Sequence, residues 1–229
     1  MHLQTPKLGL IVVKWYSAIL GLEFDILEII VDLPTLGRPT SPTSARSFNS
    51  LKREIDKYKI PYNYLVCNNG GVVFDKDDNI IFFHPVLNSS LLKTLKYLNK
   101  LGILKRILFK DFYGNITTDL NEVCDIICTI NTDNLDKLNQ IQEELNYLCS
   151  TPFFHLLVFS EKMDKVDGID IIACKESITE EAIYTVGNDF FDKNMLLRYN
   201  GYRMINSNPL LYRNGIRKTV SVKSLVRRL

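Results

Sequence analysis

The chain has 229 residues, 46% of them hydrophobic, 24% charged and 10% aromatic, which is enough apolar mass for a sizeable core and excludes a disordered, collagenous or disulfide-stapled protein. The formal net charge of +2 names no partner by itself, but its distribution is uneven: no Asp or Glu follows Asp192, whereas nine Lys and Arg do, from Lys193 to Arg228. The length suits one large domain or a core carrying a smaller insertion.

Cys67, Cys124, Cys128, Cys149 and Cys174 are odd in number and mostly embedded in apolar strings, the pattern of small core residues in a reducing compartment. Cys124 and Cys128 lie four apart with no second Cys/His pair at zinc spacing, so a structural role is the better reading. Between Leu8 and Leu33 the apolar stretch is interrupted by Lys14, Glu23, Asp25 and Glu28, well short of the ~18 uncharged residues of a membrane span, and no convincing secretory cleavage site follows. The expectation is a cytoplasmic protein without a membrane partner.

The first 43 residues give no assignable pattern. Pro34, Pro39 and Pro42, with Ser and Thr between them, make residues 34–44 an expected irregular segment. From Ser47 onward short apolar runs alternate with helix-period segments, the signature of βα units around a mainly parallel sheet. Leu51, Ile55 and Tyr58 share one face of a helix that Ile60-Pro61 ends. Tyr64-Leu-Val-Cys67 reads as a strand running into the turn Asn68-Asn69-Gly70-Gly71, and Val72–Phe74 with Ile80–Phe83 as a hairpin about residues 75–79.

Residues 84–162 read as a separate α/β layer. It should hold a helix at Ser89–Leu101 with Leu91, Leu92, Leu95 and Leu98 inward, strands at Leu104–Phe109 and Val123–Ile130, a helix at Asn134–Leu148, and a closing strand at Phe153–Phe159. The βα rhythm then resumes with a helix from Lys165, a strand at Ala182–Val186, a loop from Gly187, a helix to Leu197, a strand at Tyr202–Ile205, a short helix from Pro209 and a last helix at Val222–Leu229. The fold class is therefore α/β, with residues 1–83 and 163–229 as core and 84–162 as an inserted layer.

Ligands of such sheets sit in loops past the carboxyl ends of strands. Three polar clusters qualify: Ser44-Ala-Arg46-Ser47, Asn68-Asn69-Gly70-Gly71 and Gly187-Asn188-Asp189-Phe-Phe-Asp192; Lys165 is added as the first residue of its helix. His84 and His155 lack a Ser or Cys partner at a recognisable spacing and are read as structural.

Tyr64–Gly71 followed by a hairpin, Lys165-Val-Asp-Gly-Ile169, and Ile183–Met195 resemble the haloacid dehalogenase superfamily, specifically its Cof-like subfamily of small-molecule phosphatases, over about residues 44–229. The resemblance implies a Rossmann-like core, a C2-type α/β cap, and Mg²⁺-dependent phosphoryl transfer through an aspartyl-phosphate. It also implies four anchors: a strand ending in D-x-D, a Thr or Ser in a T-G-R-like loop, a Lys, and an acidic G-D-x-x-N-D loop. A carboxylate attacking a phosphate dianion needs metal and Lys to offset repulsion, while the second Asp protonates the leaving alkoxide.

By this resemblance Lys165 is the phosphate-binding Lys and Ser44, with Ala45 in place of Gly, the hydroxyl anchor; these are the catalytic candidates. Arg46, Asn68 and Asn69 are substrate-side candidates. Asp192 and Asn188 are metal candidates, although Asn188 stands where the family has Asp and Phe191 where it has Asn. No D-x-D occurs before residue 75. Asp32 ends the apolar run Ile29-Ile-Val31, but Pro34 replaces the acid two residues on, so the nucleophile is unassigned. The expected function is a phosphatase of small phosphorylated metabolites, sugar phosphates or nucleotides, whose activity is in question. The alternatives are a non-catalytic phosphate-ligand-binding protein of the same fold and a basic nucleic-acid-binding module.

Overall fold

The computed structural model describes residues 11–14, 39–86, 88–131, 148–150, 155–158 and 163–219. An eight-stranded sheet organises them. It comprises β1 (Ile11–Lys14), β2 (Thr40–Thr43), β3 (Tyr64–Cys67), β4 (Val72–Asp75), β5 (Ile80–Phe83), β10 (Tyr184–Gly187), β11 (Asn200–Met204) and β12 (Arg217–Thr219), in the spatial order β12-β11-β10-β1-β2-β3-β4-β5. Every pairing from β12 to β3 is parallel, and β4 and β5 add an antiparallel edge.

Burial on both faces explains the short apolar strands. In β3 the period of two sends Leu65 and Cys67 to one side, against Phe48, Leu51 and Ile55 of α1 (Phe48–Tyr58). Tyr64 and Val66 face the other side, in a cluster with Ile169, Ile172 and Ala173 of α3 (Lys165–Glu176) and Met195 and Leu196 of α4 (Lys193–Arg198). Each fully buried Leu or Ile contributes about 1.5–3 kcal/mol to holding these layers together.

Between β5 and α3 the chain builds a second, antiparallel sheet of order β6-β7-β9-β8, from β6 (Leu104–Lys110), β7 (Asp125–Ile130), β8 (Leu148–Ser150) and β9 (His155–Val158). Helix α2 (Asn88–Lys100) shares a cluster with it through Leu98, Val123, Ile126 and Cys128. Leu92, expected inward, is 54% exposed, because Thr94 and Leu98 occupy the buried stripe one turn apart. The turn after β6 rests on the core: the Asn49 amide N–H donates to the Tyr113 carbonyl at 2.9 Å, and the Tyr113 ring lies 5.7 Å from those of Phe48 and Phe74.

Three expectations need correction. Residues 40–43, expected to be irregular, form β2, and all four are buried. Pro42 is tolerated because its missing N–H faces β3, with which β2 pairs only at Thr43↔Val66, while the other edge pairs fully with β1. The strand Ile11–Lys14 was not expected either, since the long apolar stretch around it carries no period that separates strand from helix. Leu148, placed at the end of a helix by the sequence, begins β8. The rest of the helix expected at 134–148 and the one at 222–229 lie outside the described residues. Among the described residues no helix is long and apolar enough to cross a membrane.

Candidate functional site

The strand order reverses at β1. From it the chain builds β2 and β3 on one side and β10 to β12 on the other, which makes the carboxyl end of β1 the switch point where open α/β sheets bind ligands. The strand ends align there: Lys14 is level with Thr43, Thr43 with Val66, and Gly187 with Arg203, while Val13 pairs with Val186 so that Lys14 follows beside Gly187. The loops leaving these strands carry the residues singled out from the sequence.

Ser44, Arg46, Asn68 and Asn69 are knitted together by the backbone. The Asn68 N–H donates to the Arg46 carbonyl at 2.9 Å, and the Asn69 N–H to the Ser44 carbonyl at 3.1 Å. Ser44, 4% exposed, accepts at Oγ from the Arg46 N–H at 3.1 Å, so its hydroxyl stabilises its own loop. Asn68 and Asn69 both take the left-handed conformation, with φ of 50° and 55°. Asn68 is 1% exposed, and neither Oδ1 nor Nδ2 of its side chain has a hydrogen-bond partner; Oδ1 of Asn69 is likewise buried and unpaired. Such groups cost about 1–3 kcal/mol each where no other partner meets them.

Lys165, Asp192 and Asn188 form the second group. The Lys165 ammonium lies 2.5 Å from Oδ1 of Asp192, and Oδ2 of Asp192 accepts from the N–H groups of Asn188 and Asp189, each at 2.9 Å. The two charged side chains are 1% and 0% exposed. Lys165 is held by its helix start. Asp164 caps α3 by accepting from the Val166 N–H at 2.6 Å, its own N–H donates to Asp167 at 2.6 Å, and Asn194 of α4 donates to its other oxygen at 2.5 Å. Gly70 joins the two groups: a Cβ there would stand 1.7 Å from the Asp164 carbonyl oxygen, so the Asn68–Gly70 turn lies directly on the start of α3.

Sequence reasoning missed two participants. Asp164 was hidden because N-capping depends on where the helix starts. Lys14 was hidden inside an unassigned stretch, although Ile11-Val-Val13, β-branched and followed by a charged residue, is the signal that could have found it. Asp32, considered as a nucleophile, lies outside the described residues. The strand nearest the N-terminus among those described ends in Lys14, and no Asp or Glu occurs in the sequence before Glu23.

No family profile and no curated protein matches the sequence. Solved structures do. A phosphatase of the haloalkanoate superfamily from Bacteroides thetaiotaomicron superposes with a TM-score of 0.75 at 15% identity, covering 97% of this chain and 94% of that one. A haloacid dehalogenase-like hydrolase from B. subtilis gives 0.76 at 13% identity, covering 95% and 96%. A subclass IIB sugar phosphatase gives 0.69 at 14%, covering 94% and 95%. The fold is that of the haloacid dehalogenase superfamily.

The resemblance read from the sequence implies Mg²⁺, and the residues present do not fit it. Both oxygens of Asp192 are committed, one to Lys165 and one to two backbone N–H groups. Asn188 offers a neutral amide where Mg²⁺ favours carboxylates, Asp189 is the one other acid of the loop, and β1 ends in a cation. Among the described residues no group of three His, Cys, Asp or Glu is placed to hold a metal.

Proposed function

We propose that this chain is a phosphate-ester-binding protein built on the phosphatase fold, with the sites for ligand capture retained and the covalent phosphoryl-transfer chemistry lost. The observation that carries this reading is Lys14 at the carboxyl end of β1, where the resemblance calls for a nucleophilic carboxylate. A lysine there cannot form an aspartyl-phosphate, and the sequence Lys14-Trp15-Tyr16 offers no second acid to protonate a leaving alkoxide. On the retained side stand Lys165, the Ser44–Arg46 loop and the unpaired Nδ2 of Asn68, a mixture of cationic and neutral donors that suits an anionic oxygen cluster.

Ser44, Arg46, Asn68, Asn69 and Lys165 are thus assigned to ligand binding, and the inserted layer of residues 84–162 to a cap that selects the ester's organic part. The ligand class is a small phosphorylated metabolite of the sugar-phosphate or nucleotide kind, in the cytoplasm. Titration with phosphate monoesters, followed through the fluorescence of Trp15, the single tryptophan and the neighbour of Lys14 in sequence, tests this reading. Saturable binding lost in Lys165→Ala is expected. No binding of any monoester or of inorganic phosphate would overturn it.

A further inference from the structure

We infer that the anion site of this chain works without a divalent cation, the end of β1 carrying a lysine where the resemblance calls for a carboxylate. The inference deepens the phosphate-binding reading and rests on it.

Three independent placements lead there. Lys14 stands at the end of the strand at which the sheet order reverses, level with Thr43 and next in register to Gly187, so its position is flanked by the Ser44 loop on one side and the Asn188–Asp192 loop on the other. A lysine at that rim repels a divalent cation and attracts a phosphate dianion, reversing the preference of the carboxylate it replaces. Asp192, the acid of the neighbouring loop, is withdrawn from coordination by Lys165 and by the N–H groups of Asn188 and Asp189. Finally, a neutral donor stands there: the Asn68 amide is buried with both polar atoms unpartnered, beside the Ser44–Arg46 loop to which its own backbone is bonded. An amide N–H₂ binds a phosphate oxygen directly and does not need a metal to mediate.

The changes are mutually consistent. Losing the strand-end acid alone would leave a metal loop without its partner, and losing the loop acid alone would leave a nucleophile facing an uncompensated dianion. Lys14 together with Asn188 removes both demands at once, because a site without a nucleophilic carboxylate has no nucleophile–phosphate repulsion to offset.

The test is calorimetric titration of the full chain with inorganic phosphate, once in excess EDTA and once in millimolar Mg²⁺, together with a titration of Mg²⁺ alone. Binding in EDTA that Mg²⁺ leaves unchanged, with no heat from Mg²⁺ alone, is the expected result. Lys14→Met should weaken phosphate binding by about tenfold or more, and Lys14→Arg should retain it. Phosphate binding that needs Mg²⁺ would overturn the inference and leave the phosphate-binding reading intact. Absence of binding in both buffers would overturn that reading itself. Wild-type affinity in a folded Lys14→Met would remove Lys14 from the site, and should that variant not fold, the EDTA and Mg²⁺ titrations of the wild type decide alone.

Discussion

Lys165 and Asp192 form a fully buried ion pair at 2.5 Å, twenty-seven positions apart in sequence, tying the first residue of α3 to the loop after β10. Removing one partner strands the other charge away from water, which costs about 3–5 kcal/mol. Lys165→Met and Asp192→Asn are each expected to lower unfolding free energy by that order, the amide oxygen of Asp192→Asn still accepting from the Asn188 and Asp189 N–H groups. Lys165→Met combined with Asp192→Asn should cost less than the sum of the two single changes, since the double variant leaves no unpaired charge. Urea denaturation of the single and double variants checks this; strict additivity would mean that the pair is not formed.

Asp125 opens β7 and is 4% exposed, with Oδ1 lacking any partner. Burial raises its pKa to about 6, against a smaller opposing pull from Lys110, the residue opposite it on β6. Because the folded value lies above that of the unfolded chain, about 3.9, the folded state holds this proton more tightly. Its contribution to stability is present below about pH 4 and is lost as pH rises through about 6. Asp125→Asn should therefore be more stable than the wild type at pH 8, by on the order of 2 kcal/mol, with the advantage vanishing toward pH 4. Thermal unfolding of both proteins across that range measures it, and a constant difference would contradict it.

Gly70 has φ of 103°, and a side chain there would collide with the Asp164 backbone. Gly70→Ala is expected to cost about 3–5 kcal/mol, through backbone strain together with displacement of the α3 start. Phosphate affinity should fall with stability, because the same displacement moves Lys165. Chemical denaturation and a phosphate titration of one preparation report both; a stable variant with normal affinity would show that this contact does not position the site.

Much of this was legible in the sequence where one element's residues carried a clear period or turn. Tyr64–Cys67, the hairpin after it, the helix start at Lys165 and the strand before Asn188 lie within a residue or two of their sequence-based positions, because β-branched runs bounded by Asn and Gly have few alternatives. The decisive strand β1 was not legible. Ile11-Val-Val13 sits in an apolar stretch without alternation, and only its partners β10 and β2 define it. The commitment of Asp192 to Lys165 was equally out of reach, since spacing along a chain says nothing about which acceptor a buried ammonium meets. Metal and salt-bridge readings of such an acid diverge only once its hydrogen bonds are known.

The measurement that bears most directly on the whole account is phosphorus NMR of the protein with an excess of an aryl phosphate monoester in Mg²⁺ buffer. A site with Lys14 in place of the nucleophile and Asp192 locked to Lys165 should perturb the ester resonance on binding while the inorganic phosphate signal does not grow beyond the protein-free control. Growth of inorganic phosphate over many turnovers, dependent on Mg²⁺ and abolished in Lys165→Ala, would contradict it and show that a carboxylate elsewhere in the chain performs the attack.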